Sequence, residues 1–267
     1  MTSPSPAIRL YEPPKGLEAA YGEAVRIGLI SLSTDIAIER DFGRMVPDDS
    51  LGLYTTRIRL DWPNSDATFL ALADRIPDAA SVIVPNVRLD AVVFGCTTAS
   101  TLIGPERVEA LIKSRRPEVK VTNPALAAVE SLKALSARKI VLVTPYTVQM
   151  TGNVVRFFEK NGIELVSVTC TGFDTDDNIG RVPAEAFIDA TMSAERSGAD
   201  AVFVSCTATK ALNIIDALEA KVGLPVVTSN QAAFWHAARL AGWSKPIKGY
   251  GTLMERHLGS NAKQAAE

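Results

Sequence analysis

Cys96 and Cys206 are the residues of this chain best placed to do chemistry, because each ends the same kind of segment. Leu89-Asp90-Ala91-Val92-Val93-Phe94-Gly95-Cys96-Thr97-Thr98-Ala99-Ser100 reads as a short buried strand that delivers a cysteine to the start of a helix. Ala199-Asp200-Ala201-Val202-Phe203-Val204-Ser205-Cys206-Thr207-Ala208-Thr209-Lys210 carries the same pattern 110 residues later, with five of twelve aligned positions identical. A thiol at a helix N-terminus feels backbone N–H groups and the positive end of the helix dipole, which favour the thiolate and lower its pKa. The same amides, with the hydroxyls of Thr97, Thr98 and Thr207, offer a cradle for a carboxylate. Two such thiols on opposite sides of a small acid can remove a proton from one face of a carbon and return one to the other. Alternatively, one thiolate can add to an activated alkene, let the new single bond rotate, and leave. Neither route needs a metal or a cofactor.

The repeat extends to the elements that must position these residues. Arg26-Ile27-Gly28-Leu29-Ile30-Ser31 resembles Lys139-Ile140-Val141-Leu142-Val143-Thr144 at an offset of 113, and Val119–Asn123 resembles Leu224–Asn230. An offset of this size is too long for a solenoid, whose units run roughly 20–50 residues. The expectation is an α/β fold of two pseudo-symmetric lobes, each a parallel sheet flanked by helices, with the active site between them. Residues 25–132 plus 230–258 would form the first lobe and 133–229 the second, with tails at 1–24 and 259–267.

Within the first lobe the spacing predicts strands at Ile27–Ser31 and Val119–Val121 and an edge strand at Leu51–Leu60. Helices are predicted at Ile36–Arg44, Asp66–Ile76, Gly104–Ser114 and Ala125–Leu135. The second lobe offers strands at Ile140–Thr144 and Ile163–Thr169, and a helix ending at Asn161-Gly162, a dipeptide suited to a left-handed cap. A polar loop at Thr171–Arg181, a helix at Pro183–Ser197, a helix through Leu218 and a last helix at Gln231–Ala241 complete the pattern.

Composition excludes several classes of function. The 267 residues are 47% hydrophobic and 22% charged, the balance of a globular protein with a sizeable core. A net charge of −2 provides no basic footprint for nucleic acid, and no apolar run reaches the ~20 residues of a membrane helix. Met1-Thr2-Ser3-Pro4-Ser5-Pro6 lacks the basic start and apolar stretch of a signal peptide, so a cytoplasmic location is expected. Three cysteines, an odd number, argue for reduced thiols rather than a disulfide framework. Cys170 has no partner motif and reads as structural. His236 lies in an apolar helix beside Trp235 and reads as a packed histidine, and no spacing suggests a metal site.

In parallel sheets ligands bind beyond the carboxyl ends of the strands, where Cys96, Cys206, Asp35 and Tyr146 all fall. Gly95-Cys96-Thr97-Thr98, Ser205-Cys206-Thr207, Thr144-Pro145-Tyr146 and Asp177-Asn178 resemble motifs of the aspartate/glutamate racemase superfamily. The match is to its branch of maleate cis-trans isomerases, arylmalonate decarboxylases and racemase-like ectoine-utilisation proteins. Leu224–Asn230 through Phe234-Trp235 is similar to the decarboxylases. The resemblance implies that Cys96 is the nucleophile or base of the first lobe and Cys206 its counterpart. It further implies that Thr97, Thr98 and Tyr146 bind a carboxylate, with Asn178 on a second carboxylate or an enolate oxygen. It also implies a homodimer or homotetramer acting on a small carboxylic acid. Decarboxylases of the branch lack the first cysteine, so the pair favours an isomerase or racemase; a non-catalytic two-lobed binder of small acids is the reading from another class. One stretch departs from the pattern: maleate isomerases carry Asn in a Pro-Ser-Ser-Asn motif, where this chain has Leu32-Ser33-Thr34-Asp35. Asp35 would repel a dicarboxylate, hold a substrate ammonium, tune Cys96, or cap the following helix. The departure weakens a maleate reading and leans toward an amino acid or toward the ectoine-utilisation proteins, which resemble this stretch most.

Overall fold

Four apolar runs in the sequence become the inner strands of two parallel sheets. The computed structural model describes residues 7–11 and 24–258, so most of the expected N-terminal tail and all of the C-terminal tail lie outside the described residues. The first sheet holds β1 (Val25–Leu32), β2 (Leu51–Ile58), β3 (Ala91–Gly95) and β4 (Lys120–Thr122), in the order β2-β1-β3-β4. The second holds β5 (Lys139–Tyr146), β6 (Glu164–Phe173), β7 (Ala201–Val204) and β8 (Val226–Thr228), in the order β6-β5-β7-β8. Every pairing is parallel, so the halves repeat in topology as well as in sequence. The inner strands β1, β3, β5 and β7 are covered on both faces, which is why they read as unbroken apolar runs. β2 and β6 are half-exposed edges.

The aspartate shared by the two repeats has a structural cause. Asp90 Oδ2 accepts the Arg26 N–H at 2.9 Å, and Asp200 Oδ2 accepts the Arg138 and Lys139 N–H groups at 2.8 Å each. Each carboxylate staples the start of a cysteine-bearing strand to its central neighbour, at the opposite end from the thiol. Backbone donors of this kind hold Asp200 below the usual carboxylate range.

Helices α1 (Ile38–Met45), α2 (Asp66–Leu70), α3 (Ile76–Val82), α4 (Thr97–Ile103), α5 (Pro105–Lys113) and α6 (Pro124–Ala134) accompany the first sheet in chain order. They are followed by α7 (Val148–Lys160), α8 (Asp176–Arg181), α9 (Ala184–Ser193), α10 (Ile215–Val222), α11 (Ser229–Leu240) and α12 (Gly251–Arg256). Although α11 leaves the second sheet after β8, it packs against α6, β3 and β4 of the first. That crossing ties the lobes together. A Thr228–Gln231 capping box fixes its start. α12 packs back on β8 and α10, where Glu219 accepts the Val226 and Thr252 N–H groups.

The structure corrects the sequence reading in several places. Thr171–Arg181 is not a loop: β6 continues to Phe173, and Thr175 caps α8 by accepting the Asn178 N–H. The helix expected at Asp66–Ile76 breaks into α2, a 3-10 turn at Ala71–Asp74 and α3, which has Pro77 in its first turn. After Cys206 there is no immediate helix; a turn leads to a 3-10 segment at Ala211–Ile214 and then α10. Gly162 does take the left-handed conformation expected after α7, at φ 75°. Among the described residues no helix is long and apolar enough to cross a membrane.

Gly95 closes β3 just before Cys96. A Cβ there would stand 2.8 Å from Ile38 Cδ1 and 3.1 Å from the Ile30 carbonyl oxygen, so the absent side chain lets α1 press against this strand end. Gly95→Ala should therefore destabilise the fold by about 1–3 kcal/mol, the usual cost of overpacking. Urea unfolding followed by tryptophan fluorescence would measure it, and an unchanged midpoint would contradict the close approach.

Candidate active site

Both sequence-predicted thiols are buried, but their loops differ. Cys96 has extended backbone and caps α4, its Sγ accepting the Ala99 N–H at 3.4 Å. The first-turn amide is thus engaged by the sulfur. Cys206 sits in a turn at φ 94°, a left-handed conformation that a non-glycine residue adopts at a cost of about 1–3 kcal/mol. Hydrogen bonds hold it there: its N–H donates to Ser229 Oγ at 2.9 Å, and the Thr209 hydroxyl donates to its carbonyl at 3.1 Å. Its Sγ accepts the Ala208 N–H at 3.4 Å.

Side chains from the two lobes meet around these thiols. The Thr97 hydroxyl donates to Ser229 Oγ at 2.9 Å, so one oxygen at the start of α11 receives a donor from each cysteine loop. Tyr146, the last residue of β5, is buried with its hydroxyl 3.5 Å from Ser205 Oγ and in hydrogen-bonding reach of the Thr98 side chain and the Cys206 thiol. Asp35 is buried at the end of the β1 turn, where Oδ1 accepts the Ala37 and Ile38 N–H groups at 2.8 and 3.0 Å. It thus takes up the first amide of α1 from two residues before the helix's N-cap, Ala37. Its Oδ2 makes no hydrogen bond of ordinary geometry, although Thr207 of the other lobe lies close enough to lower its pKa. Beneath them, Asn230 donates to Asp41 Oδ2 at 2.7 Å and to the Thr207 carbonyl at 2.8 Å, a second bridge between lobes.

The structure therefore brings together Cys96, Cys206, Asp35, Thr97, Thr98, Tyr146 and Thr207, and it does not bring in Asn178. That residue is exposed on α8. Its neighbour Asp176 takes the inward position, hydrogen-bonded by the Thr34 hydroxyl and acting electrostatically on Asp35 and both thiols. Sequence reasoning passed over Asp176 and Ser229. The signal for the first was the acidic run Asp174-Thr175-Asp176-Asp177, and for the second the hydroxyl pair Thr228-Ser229 opening a helix.

The family described as arylmalonate decarboxylase matches residues 63–254, most of both lobes. The chain belongs to that family. It is 24% identical over 242 residues to a maleate isomerase of Nocardia farcinica, covering 86% of this chain and 96% of the relative. It is 28% identical over 137 residues to an arylmalonate decarboxylase of Bordetella bronchiseptica, covering 50% and 57%. Among solved structures, a cysteine-to-serine mutant of Nocardia farcinica maleate cis-trans isomerase with a covalently bound succinylcysteine intermediate superposes with a TM-score of 0.81. The identity there is 23%, covering 86% of this chain and 98% of that one.

Electrostatics in this arylmalonate decarboxylase family member reverse one sequence expectation. The thiols are not acidified. Burial pushes Cys96 and Cys206 well up, and the Asp176 and Asp35 carboxylates add to it, outweighing the Ala99 and Thr98 amides at Cys96 and the Ala208 amide and Tyr146 hydroxyl at Cys206. Burial also raises Tyr146 and Asp35, and lifts Asp41 and Asp176 to about 6. His236 forms no dyad with a cysteine: its Nδ1 pairs with the Thr122 hydroxyl at 2.8 Å, and burial lowers it to about 4.

Two outcomes are expected. Iodoacetamide should label both native thiols at least about tenfold more slowly at pH 8 than in denaturant, with a rate still climbing above pH 9. Peptide mass spectrometry reads this, and a plateau below pH 8 would mean an acidified thiol. Cys206→Gly should be more stable than Cys206→Ala by about 1 kcal/mol, because glycine relieves the positive φ. Thermal unfolding of the two variants would test the strain.

Proposed function

We propose that this protein is a cofactor-independent isomerase of a small carboxylic acid, with Cys96 and Cys206 as an acid–base or nucleophile–acid pair. The observation that carries this reading is the convergence of one buried thiol from each lobe on a single cluster of hydroxyl groups. Thr98 and Tyr146 supply donors for one substrate carboxylate, while the Thr97 hydroxyl is held by Ser229 and that of Thr207 lies against Asp35. In racemisation, the thiolate of one cysteine takes the α-proton and becomes a thiol, while the thiol of the other gives a proton to the opposite face. In cis-trans isomerisation, the thiolate adds to one alkene carbon and the other carbon gains a proton. Rotation about the new single bond then precedes loss of the proton and of the thiolate. The succinylcysteine in the Nocardia farcinica neighbour is an adduct of that second type and supports it.

The raised thiol pKa values place a condition on either route. A thiolate has to be generated as the acid binds, when water is displaced and the hydroxyl donors reorganise around two anions. A neutral partner thiol is the correct state for the proton donor. The family resemblance ties the decarboxylase reaction to a single cysteine, so Cys96 counts against that reading. On the same resemblance, the enzyme is homo-oligomeric and serves the breakdown of ectoine-derived compounds.

Proton NMR in deuterium oxide separates the possibilities with the wild-type chain and two serine variants. Maleate converting to fumarate, or an α-proton of an amino acid exchanging for deuterium, is the expected result. Cys96→Ser and Cys206→Ser should each lower that rate by about 10²–10⁴-fold. Decarboxylation of phenylmalonate that survives Cys96→Ser would overturn the isomerase reading.

A further inference from the structure

Three basic side chains from the two lobes gather around a small cavity that the chemistry of the thiols does not use. The cavity measures about 100 Å³, and neither cysteine lines it. Arg40 and Arg44 of α1 border it from the first lobe with Asp41, and Lys210 and Asn213 border it from the second. One wall is the turn after Cys206, where Ala208 gives its N–H to the Cys206 sulfur and the Thr209 hydroxyl donates to the Cys206 carbonyl. At one edge Ile36 lies over Gly180, where a Cβ would stand 3.0 Å from Ile36 Cδ1, so the lobes close on each other there.

This gathering of like charge is unfavourable and has no internal remedy. Arg40 and Arg44 stand four residues apart on α1, the spacing at which like charges on a helix repel. Among the described residues the Arg40 guanidinium and the Lys210 ammonium make no hydrogen bond or ion pair, and Arg44 donates to Asn213 Oδ1, a neutral acceptor. The nearby carboxylates are committed: Glu39 is bound by Arg57 at 2.8 Å, and Asp41 accepts the Asn230 amide at 2.7 Å. Burial lifts Asp41 to about 6, so it opposes an incoming anion less than an ordinary carboxylate would. Three cations against one carboxylate leave an excess of two positive charges, in a chain whose net charge is −2.

We infer that this cavity binds a small dianion of the phosphate or sulfate class, gripped by Arg40 and Arg44 from one lobe and by Lys210 from the other. The excess of two positive charges matches a dianion, and a guanidinium presents paired N–H donors in a fixed fork that suits such oxygens. Pockets for drug-sized ligands run roughly 300–1,000 Å³, so this one admits the ion itself or the phosphate end of a small ester. The bound ion spans the lobe junction beside the Asn230 bridge and holds the turn after Cys206 against α1. The site does not depend on the isomerase reading, because an ion there stabilises the closed protein whatever reaction the cysteines perform.

Thermal unfolding of the full-length protein in inorganic phosphate, against chloride at the same pH and ionic strength, tests this. Phosphate at about 20 mM should raise the Tm by about 2 °C or more over chloride, as follows when an ion binds only the folded state. Arg40→Gln and Lys210→Gln should each remove at least half of that rise, whereas Arg40→Lys, which keeps the charge, should retain most of it. In chloride the two glutamine variants should unfold no lower than wild type, since each relieves a repulsion. Glycerol 3-phosphate that matches inorganic phosphate assigns the site to a phosphate ester, and its failure assigns the site to the free ion. No rise over chloride overturns the inference. So does a rise that survives both glutamine variants, which would place the ion elsewhere, among the hydroxyl groups at the thiols. Glutamine variants that fall below wild type in chloride by as much as in phosphate have lost a structural contact, and overturn it too.

Discussion

Ser229 Oγ receives the Thr97 hydroxyl from one lobe and the Cys206 amide from the other, and the candidate site depends on that single acceptor. It stands at the first residue of α11, the helix that leaves the second sheet and packs on the first. The capping box beneath it holds the helix start in place, so the oxygen is fixed by secondary structure rather than by a mobile loop. From there outward the arrangement follows. The Cys206 turn is pinned in a conformation it would not choose, and Thr97 is drawn toward the second lobe. Asn230, next along the helix, ties the Thr207 carbonyl to Asp41.

The same closure sets the protonation of the site. Two thiols, a phenol and the Asp35 carboxyl are withdrawn from water together with Asp176 half-buried beside them, and the carboxylates disfavour charge on the thiols. Such a cluster is neutral-leaning at rest and reactive when an incoming group changes its charge balance. Substrate binding and acid–base chemistry are then one event.

Much of this was legible in the chain. The repeat around Asp90–Cys96 and Asp200–Cys206 exposed the duplicated sheets, because a buried parallel strand needs an unbroken apolar run and the same staple at its start. Seven of the eight proposed site residues converge, since strand ends in a parallel sheet point to one side. What stayed hidden depends on distant contacts. Ser205-Cys206-Thr207-Ala208 contains no glycine to advertise a positive φ, and the bonds that impose it come from Ser229 and Thr209. Asp176 and Asn178 are two residues apart, and only the closure against Thr34 decides which faces inward. The sign of the thiol shifts was misread because local amides were visible and burial was not.

The repeat is imperfect where the chemistry sits. Gly95 leaves room for Ile38 before one thiol, whereas Ser205 reaches Tyr146 before the other, and only the second cysteine is backbone-strained. A reversible isomerase built this way treats its two directions through unequal halves. The overall equilibrium belongs to the two acids and cannot be altered by the protein, so the ratio of forward to reverse kcat/KM is fixed. The inequality of the lobes can therefore surface only in how each direction divides that ratio between turnover and saturation. Duplication followed by divergence has given this fold freedom over that division, and over nothing else in the net reaction.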